Sequence, residues 1–216
     1  MKIKITGIIA RGEREVVVCF EMQSDDAKNI ETKKFLISGD QLARLQLARG
    51  DANEEIFDLV ALEARIYGAV KKGLKTLEYG YCSTKALYLK LLRAGFSKDI
   101  SAKAVVILQK QKLLDDKANA RREAEKGVKK LWGSHRIESE LLKKGYDSDC
   151  AKDALEHLNE LGVDYAANCE KLVAMSLQGE TPTIRDLKRL YPSLTRYGYS
   201  SSEIKTALVS VLGENE

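Results

Sequence analysis

One short pattern recurs three times and limits what this chain can fold into. Leu91-Leu92-Arg93-Ala94-Gly95-Phe96-Ser97, Leu141-Leu142-Lys143-Lys144-Gly145-Tyr146-Asp147 and Leu194-Thr195-Arg196-Tyr197-Gly198-Tyr199-Ser200 stand 50 and then 53 residues apart. Each has an apolar start, a base, a glycine, an aromatic and a Ser or Asp. A period of about that length marks stacked supersecondary units.

Each copy reads as a tight corner between two helices. Gly95, Gly145 and Gly198 fall just past a helix end, where the left-handed conformation that closes a helix suits glycine. Arg93, Lys143 and Arg196 lie in the last turn, where a cation meets the negative end of the helix dipole. Ser97, Asp147 and Ser200 are placed to cap the next helix, with Glu203 completing a capping box. Phe96, Tyr146 and Tyr199 precede those caps, where a ring pins the corner to the core. The motif is architecture rather than a site.

Around the corners the pattern is helical. Residues 64–114, 115–163 and 164–216 divide into three units of three helices. Ile66, Val70, Leu74 and Leu77 form the first apolar stripe, and Ile100, Ala104, Ile107 and Leu108 a later one. In the second unit a charged helix runs from Asp116 to about Trp132. Gly127 lies in its interior, where a side chain is expected to cost little, whereas Gly145 requires positive φ. In the third unit Thr181 is expected to cap a helix, with Pro182 at its first position. Residues 1–63 differ. Stretches 3–9 and 15–21 alternate as a hairpin, Lys33–Ile37 adds a strand, and short helices follow from Ser38 and Asp51. This extension looks too thin to bury a core alone. The expected fold is mainly α: three tandem three-helix repeats in an elongated curved array, with a small N-terminal β-hairpin and strand extension.

The start of the chain lacks the apolar segment of a signal peptide, and no apolar run approaches the ~18 residues of a membrane span. Cys19, Cys82, Cys150 and Cys169 form no CxxC pair, so the chain reads as a reduced, cytoplasmic protein with Cys150 a buried thiol. No catalytic or cofactor constellation is present. Gly68 to Lys75 has the glycine spacing of a phosphate loop, but Leu74 stands where the lysine belongs. His157, between Asp153 and Glu160, reads as part of a solvated helix face, and His135 as exposed. No enzyme, metal or cofactor is expected.

Charge is the feature that asks for a partner. The net +4 of the chain hides a segment, 64–114, with 11 bases and 2 acids, while 1–63 is net −3. Arg65, Lys71, Lys72, Lys75, Lys85, Lys90 and Arg93 are candidate partner-binding residues there, interleaved with Tyr79, Tyr81 and Tyr88. Arg121, Arg122, Lys126, Lys129 and Lys130 form a second candidate cluster. Lys71, Lys72 and Lys75 lie within about one turn and off the apolar stripe, so replacing them is expected to leave the core untouched. Such faces suit nucleic acid or an acidic protein surface.

Three three-helix units after an N-terminal strand extension, Leu87-Tyr88-Leu89-Lys90-Leu91-Leu92-Arg93-Ala94-Gly95-Phe96, Leu113-Leu114-Asp115-Asp116, and Trp132-Gly133-Ser134-His135-Arg136-Ile137-Glu138-Ser139-Glu140-Leu141-Leu142-Lys143-Lys144-Gly145-Tyr146 together resemble the RecX family. Lys117-Ala118-Asn119-Ala120 departs from that family, which usually places an aromatic before an alanine after the two aspartates. The resemblance implies a monomeric, non-enzymatic regulator. It would lie along a RecA filament on single-stranded DNA and inhibit ATP hydrolysis, recombination and the SOS response. The runner-up is a helical module that binds single-stranded DNA directly through the basic face.

Overall fold

The computed structural model describes residues 2–24, 30–177 and 184–213. Strands β1 (Lys2–Arg11), β2 (Glu15–Gln23) and β3 (Ile30–Ser38) precede helix α1 (Gly39–Leu45) and strand β4 (Gly50–Ala52). Among the described residues nine further helices follow: α2 (Glu54–Glu78), α3 (Thr84–Arg93), α4 (Lys98–Lys110), α5 (Asp116–Lys129), α6 (Ser134–Lys143), α7 (Ser148–Glu160), α8 (Tyr165–Leu177), α9 (Ile184–Arg196) and α10 (Ser201–Gly213). The protein is mainly helical with an N-terminal antiparallel sheet, as its sequence predicts. Thr181 and Pro182 lie outside the described residues. Among the described residues no helix is long and apolar enough to cross a membrane.

The chain forms two compact units, Met1–Gly80 with Leu87–Leu113 and Tyr81–Ala86 with Leu114–Glu216. In the first, four antiparallel strands lie in the order β3-β2-β1-β4. Val16, Val18, Phe20 and Met22 alternate along β2 onto one buried face with Ile3, Ile5 and Ile37, the period-two pattern of a half-covered sheet. The N-terminal strands do bury a core, because the helical stretch expected up to residue 63 and the helix expected from residue 64 are one continuous helix, α2. Gly50–Ala52 pairs with β1, and Asn53 rather than Asp51 caps α2, accepting from the Ile56 amide at 2.9 Å. The first turns of α2 thereby cover the sheet. Phe57 meets Phe20 and Phe35 edge to face at 5.2 and 5.3 Å between centroids, a geometry worth about 0.5–1.5 kcal/mol per pair beyond burial.

The other half of α2 packs on α4. Its buried seam is Ile66, Ala69, Val70 and Gly73, one step round from the expected stripe, and Leu74 is left 36% exposed. Gly73 is the reason. A Cβ there would lie 2.6 Å from Leu108 Cδ1, so the two helices meet at the small-residue edge. In the second unit, α5–α7 close on Ile137, Leu141, Ala154 and Leu158, and α8–α10 on Val173, Leu194, Ile204 and Ala207. Gly127 plays the same part as Gly73, since a Cβ would stand 2.8 Å from Ile137 Cγ1 and 3.2 Å from Trp132. It is a packing glycine, and the expectation that a side chain costs little there is overturned.

The three corners share one geometry. Gly95, Gly145 and Gly198 have φ of 90°, 88° and 90°. In each, the aromatic amide bonds back to the leucine carbonyl five residues earlier: Phe96 to Leu91 at 3.3 Å, Tyr146 to Leu141 at 3.2 Å, Tyr199 to Leu194 at 3.3 Å. This is the Schellman closure. The expected caps are present at Ser97, Asp147 and Ser200, the last with Glu203 as a reciprocal box.

These glycines respond differently to one substitution. Gly68→Ala, inside α2 with only the Phe96 ring at 3.8 Å, should raise stability by up to about 1 kcal/mol from helix propensity. Gly127→Ala and Gly145→Ala should each lower it by about 1–3 kcal/mol, from overpacking and from backbone strain with overpacking respectively. Urea denaturation of the three variants checks this, and a Gly127→Ala protein as stable as the wild type would contradict the packing role.

Candidate functional site

The second half of α2 and the α3–α4 corner enclose an open groove of about 700 Å³ in the first unit. It is lined by Gly68, Lys71, Lys72, Leu74, Lys75, Glu78, Ala94 and Phe96. Of the candidate residues named from sequence, this brings together Lys71, Lys72 and Lys75. Arg65, Lys90 and Arg93 are exposed on the same unit but do not line the groove, and Lys85 is an exposed residue of the second unit.

The cations are not equivalent. Lys71 is bonded to the Glu15 carboxylate of β2, which also accepts from the Tyr67 hydroxyl at 3.1 Å. The Lys71 ammonium holds Glu15 below the usual carboxylate range, against a smaller opposing effect of burial. Replacing Lys71 therefore removes a tie between α2 and the sheet. It is not the neutral surface change that sequence alone suggests. Among the described residues, Lys72, Lys75, Lys90 and Arg93 have no ion-pair partner. In the groove Lys72 and Lys75, with no ion-pair partner, outnumber the one carboxylate among its lining residues, Glu78, and leave it net positive.

The second cluster is largely occupied within its own unit. Arg121 binds Asp153 in two places, at 2.7 and 3.0 Å. Lys126 bonds Glu123 at 2.8 Å, and Lys144 bonds the same carboxylate. Arg122 and Lys126 lie 5.1 and 4.8 Å from the centroid of the Tyr81 ring, so Tyr81 already holds cations. Lys130 and Arg136 both approach Trp132, at 4.9 and 4.6 Å, and Arg136 also lies 5.1 Å from Tyr197. Lys129 is exposed at the end of α5. Arg136 was not among the candidate residues named from sequence, because Trp132 lies in the link between α5 and α6 and Tyr197 just past α9, and no helical spacing joins them to it.

Burial pushes the Cys150 thiol up to about 12, with the Asp147 carboxylate adding to the shift, so it is protonated and unreactive. His157 faces Glu125 at 3.2 Å rather than its sequence neighbours. Among the described residues, no three His, Cys, Asp or Glu side chains converge as metal ligands would.

No protein-family model matches the chain. It is similar to the regulatory protein RecX of Clostridium botulinum (strain Eklund 17B / Type B), with 26% identity over 178 residues, 81% of this chain and 84% of the relative. It is also 26% identical to the regulatory protein RecX of Clostridium perfringens (strain SM101 / Type A), over 149 residues, 68% and 69% of the two chains. A crystal structure of regulatory protein RecX superposes with a TM-score of 0.73 at 21% identity, covering 94% of this chain and 97% of that one. RecX from Lactobacillus salivarius gives 0.59 at 22% identity, covering 68% and 96%.

The Arg121–Asp153 pair makes a pH-dependent contribution to stability. Hydrogen bonds from Arg121 hold the Asp153 carboxyl below its ordinary range, with burial opposing. A carboxyl with a depressed folded pKa stabilises fully above its unfolded value, about 4. That stabilisation is lost as the pH falls through the folded value. Urea denaturation from pH 7 to pH 3 should therefore find wild type and Asp153→Asn converging only at the acid end. A constant gap would show that the pair does not titrate with folding.

Proposed function

The chain is a distant member of the RecX family, and from that premise we propose that it is a non-enzymatic, monomeric, cytoplasmic regulator of RecA. In this reading it binds RecA filaments on single-stranded DNA and inhibits their ATPase, recombination and SOS activity. The observation that carries the binding surface is the set of cations without an ion-pair partner around α2 and the α3–α4 corner, with Lys72 and Lys75 inside the groove and outnumbering Glu78 there. Arg65, Lys90 and Arg93 are further exposed cations of that unit, Lys85 is one of the second unit, and Arg121, Arg122, Lys126 and Lys130 serve mainly to hold the second unit together. The helices α2–α4, α5–α7 and α8–α10 are read as three repeats of one unit.

Direct binding of single-stranded DNA is the second reading. Tyr79, 84% exposed just past α2, favours it as a ring on which a base can stack. Salt separates the two, because phosphate neutralisation makes log K fall by about 0.7 per contact with log salt on single strands.

The test is inhibition of the DNA-dependent ATPase of the cognate RecA. Lys72→Glu/Lys75→Glu should melt like the wild type and inhibit at least about tenfold less well, roughly 1.4 kcal/mol. Adding Lys71→Glu should also lower the melting temperature, because it sets a second carboxylate against Glu15. A Lys72→Glu/Lys75→Glu variant that inhibits like the wild type at every ionic strength would place the contact surface elsewhere.

A further inference from the structure

The three corners have one geometry but not one occupancy. At the second, the Ser83 hydroxyl donates to the Lys144 carbonyl at 2.7 Å while capping α3 through the Ala86 amide at 3.1 Å. A Cβ on Gly145 would stand 2.8 Å from that hydroxyl oxygen. At the third, the Gly133 amide donates to the Tyr197 carbonyl at 2.9 Å and the His135 amide to the Gly198 carbonyl at 3.2 Å. A Cβ on Gly198 would lie 2.3 Å from the Arg136 nitrogen. In both, a helix N-terminus, α3 or α6, is seated on the carbonyls that end another helix, positive dipole end on negative. The corner aromatics beneath, Tyr146 and Tyr199, are 4% and 2% exposed.

The first corner has the same backbone and no such guest. The carbonyls of Ala94 and Gly95 accept no hydrogen bond from the described residues. A Cβ on Gly95 would meet nothing within 4 Å, and Phe96 is only half-buried. The groove beside it is lined by Ala94, Phe96, Lys71, Lys72 and Lys75, with Glu78 the one carboxylate among its lining residues and the lysines in excess.

We infer that the first corner is a docking site for the N-terminal turn of a helix in a partner protein, capped by Ser or Gly and carrying Asp or Glu in its first turn. The two occupied corners define the shape of the guest, since Ser83 and Gly133 are the residues that fit against a corner glycine. The lysines define its charge. A bare helix N-terminus is itself positive and is repelled by Lys72 and Lys75. Acids in the first turn reverse that repulsion and are favoured there by the dipole of their own helix. The inference rests on the proposed role of the basic face, and narrows it from any acidic surface to one structural element.

Ala94 is exposed and lines the groove, so Ala94→Trp fills it without altering charge or core. The probe is a stapled helical peptide of about fifteen residues, the staple being needed because free helices of that length are marginal in water. It carries a Ser cap and first-turn glutamates, and a control peptide has those glutamates moved to its last turn. Fluorescence anisotropy with the full chain should find the capped acidic peptide at least about tenfold tighter than the control. Ala94→Trp and Lys72→Gln/Lys75→Gln should each weaken it about tenfold, with unchanged melting temperatures. No binding, equal binding of the two peptides, or indifference to Ala94→Trp overturns the inference. So does an oligonucleotide that displaces the peptide and binds wild type and Ala94→Trp alike, which assigns the lysines to phosphate. Self-association lost in Ala94→Trp identifies a second copy as the guest and overturns the assignment to a partner protein. RecA inhibition is scored separately. Equal inhibition by wild type and Ala94→Trp keeps the regulator and removes the groove, whereas no inhibition by wild type removes the regulator and leaves the peptide result standing.

Discussion

The helical part of this protein depends on a glycine near φ +90° at the end of a helix, with carbonyls exposed for another helix to sit on. The closure bond from the aromatic amide to the leucine carbonyl turns the chain sharply. The absent Cβ then lets a second backbone approach to hydrogen-bond distance, as at Gly198 against His135 and Arg136. Both orphan sets of helix-terminal groups are partly satisfied at one contact, N–H groups of one helix by C=O groups of another. Ordinary L-residues cannot supply this arrangement, because they fail it twice, once on conformation and once on space. The aromatic beside each glycine completes the joint, and the Tyr199 hydroxyl donates to the Leu131 carbonyl at 2.8 Å.

Charge follows from the same architecture. Inside the second unit, acids on α5 and α7 meet the bases facing them: Asp153 with Arg121, and Glu123 with Lys126 and Lys144. Burial works against the Glu123 charge, yet those two lysines hold its carboxyl below the usual range. Such pairs are modest in energy, commonly about 0–1 kcal/mol at exposed positions, but they neutralise the cations involved. The first unit offers Glu15 to Lys71 and leaves Lys72 and Lys75 open. A surplus of bases thus becomes a surface at one place and an internal clasp at another.

Corners, caps and the alternating strands were legible because each rests on a local rule: Gly before an aromatic, Ser or Asp before a helix, Val-x-Val in a strand. Gly73 and Gly127 were not, since a helical glycine in one sequence looks the same whether it is a defect or the point where two helices touch. The distinction lies in Leu108 and Ile137, 35 and 10 residues away. The pairing of Lys71 with Glu15 needs the position of β2 beneath α2, which no spacing rule supplies. For the same reason the internal pairing of the second basic cluster was not legible in sequence: Tyr81, Asp153 and Trp132 come from other helices or links. The N-terminal core was underestimated because its lid, the first turns of α2, reads as a separate helical stretch.

Lysine footprinting tests the central claim most directly, that the open groove of the first unit is the surface that meets the filament. Full-length protein is treated briefly with an amine-acylating reagent, free and in the presence of RecA assembled on single-stranded DNA, and modification is read lysine by lysine by mass spectrometry. The account predicts that Lys72 and Lys75 react readily in the free protein and become protected on the filament, while Lys129 keeps its reactivity. Protection centred on Lys129 and Lys130, with Lys72 and Lys75 still reactive, would contradict it.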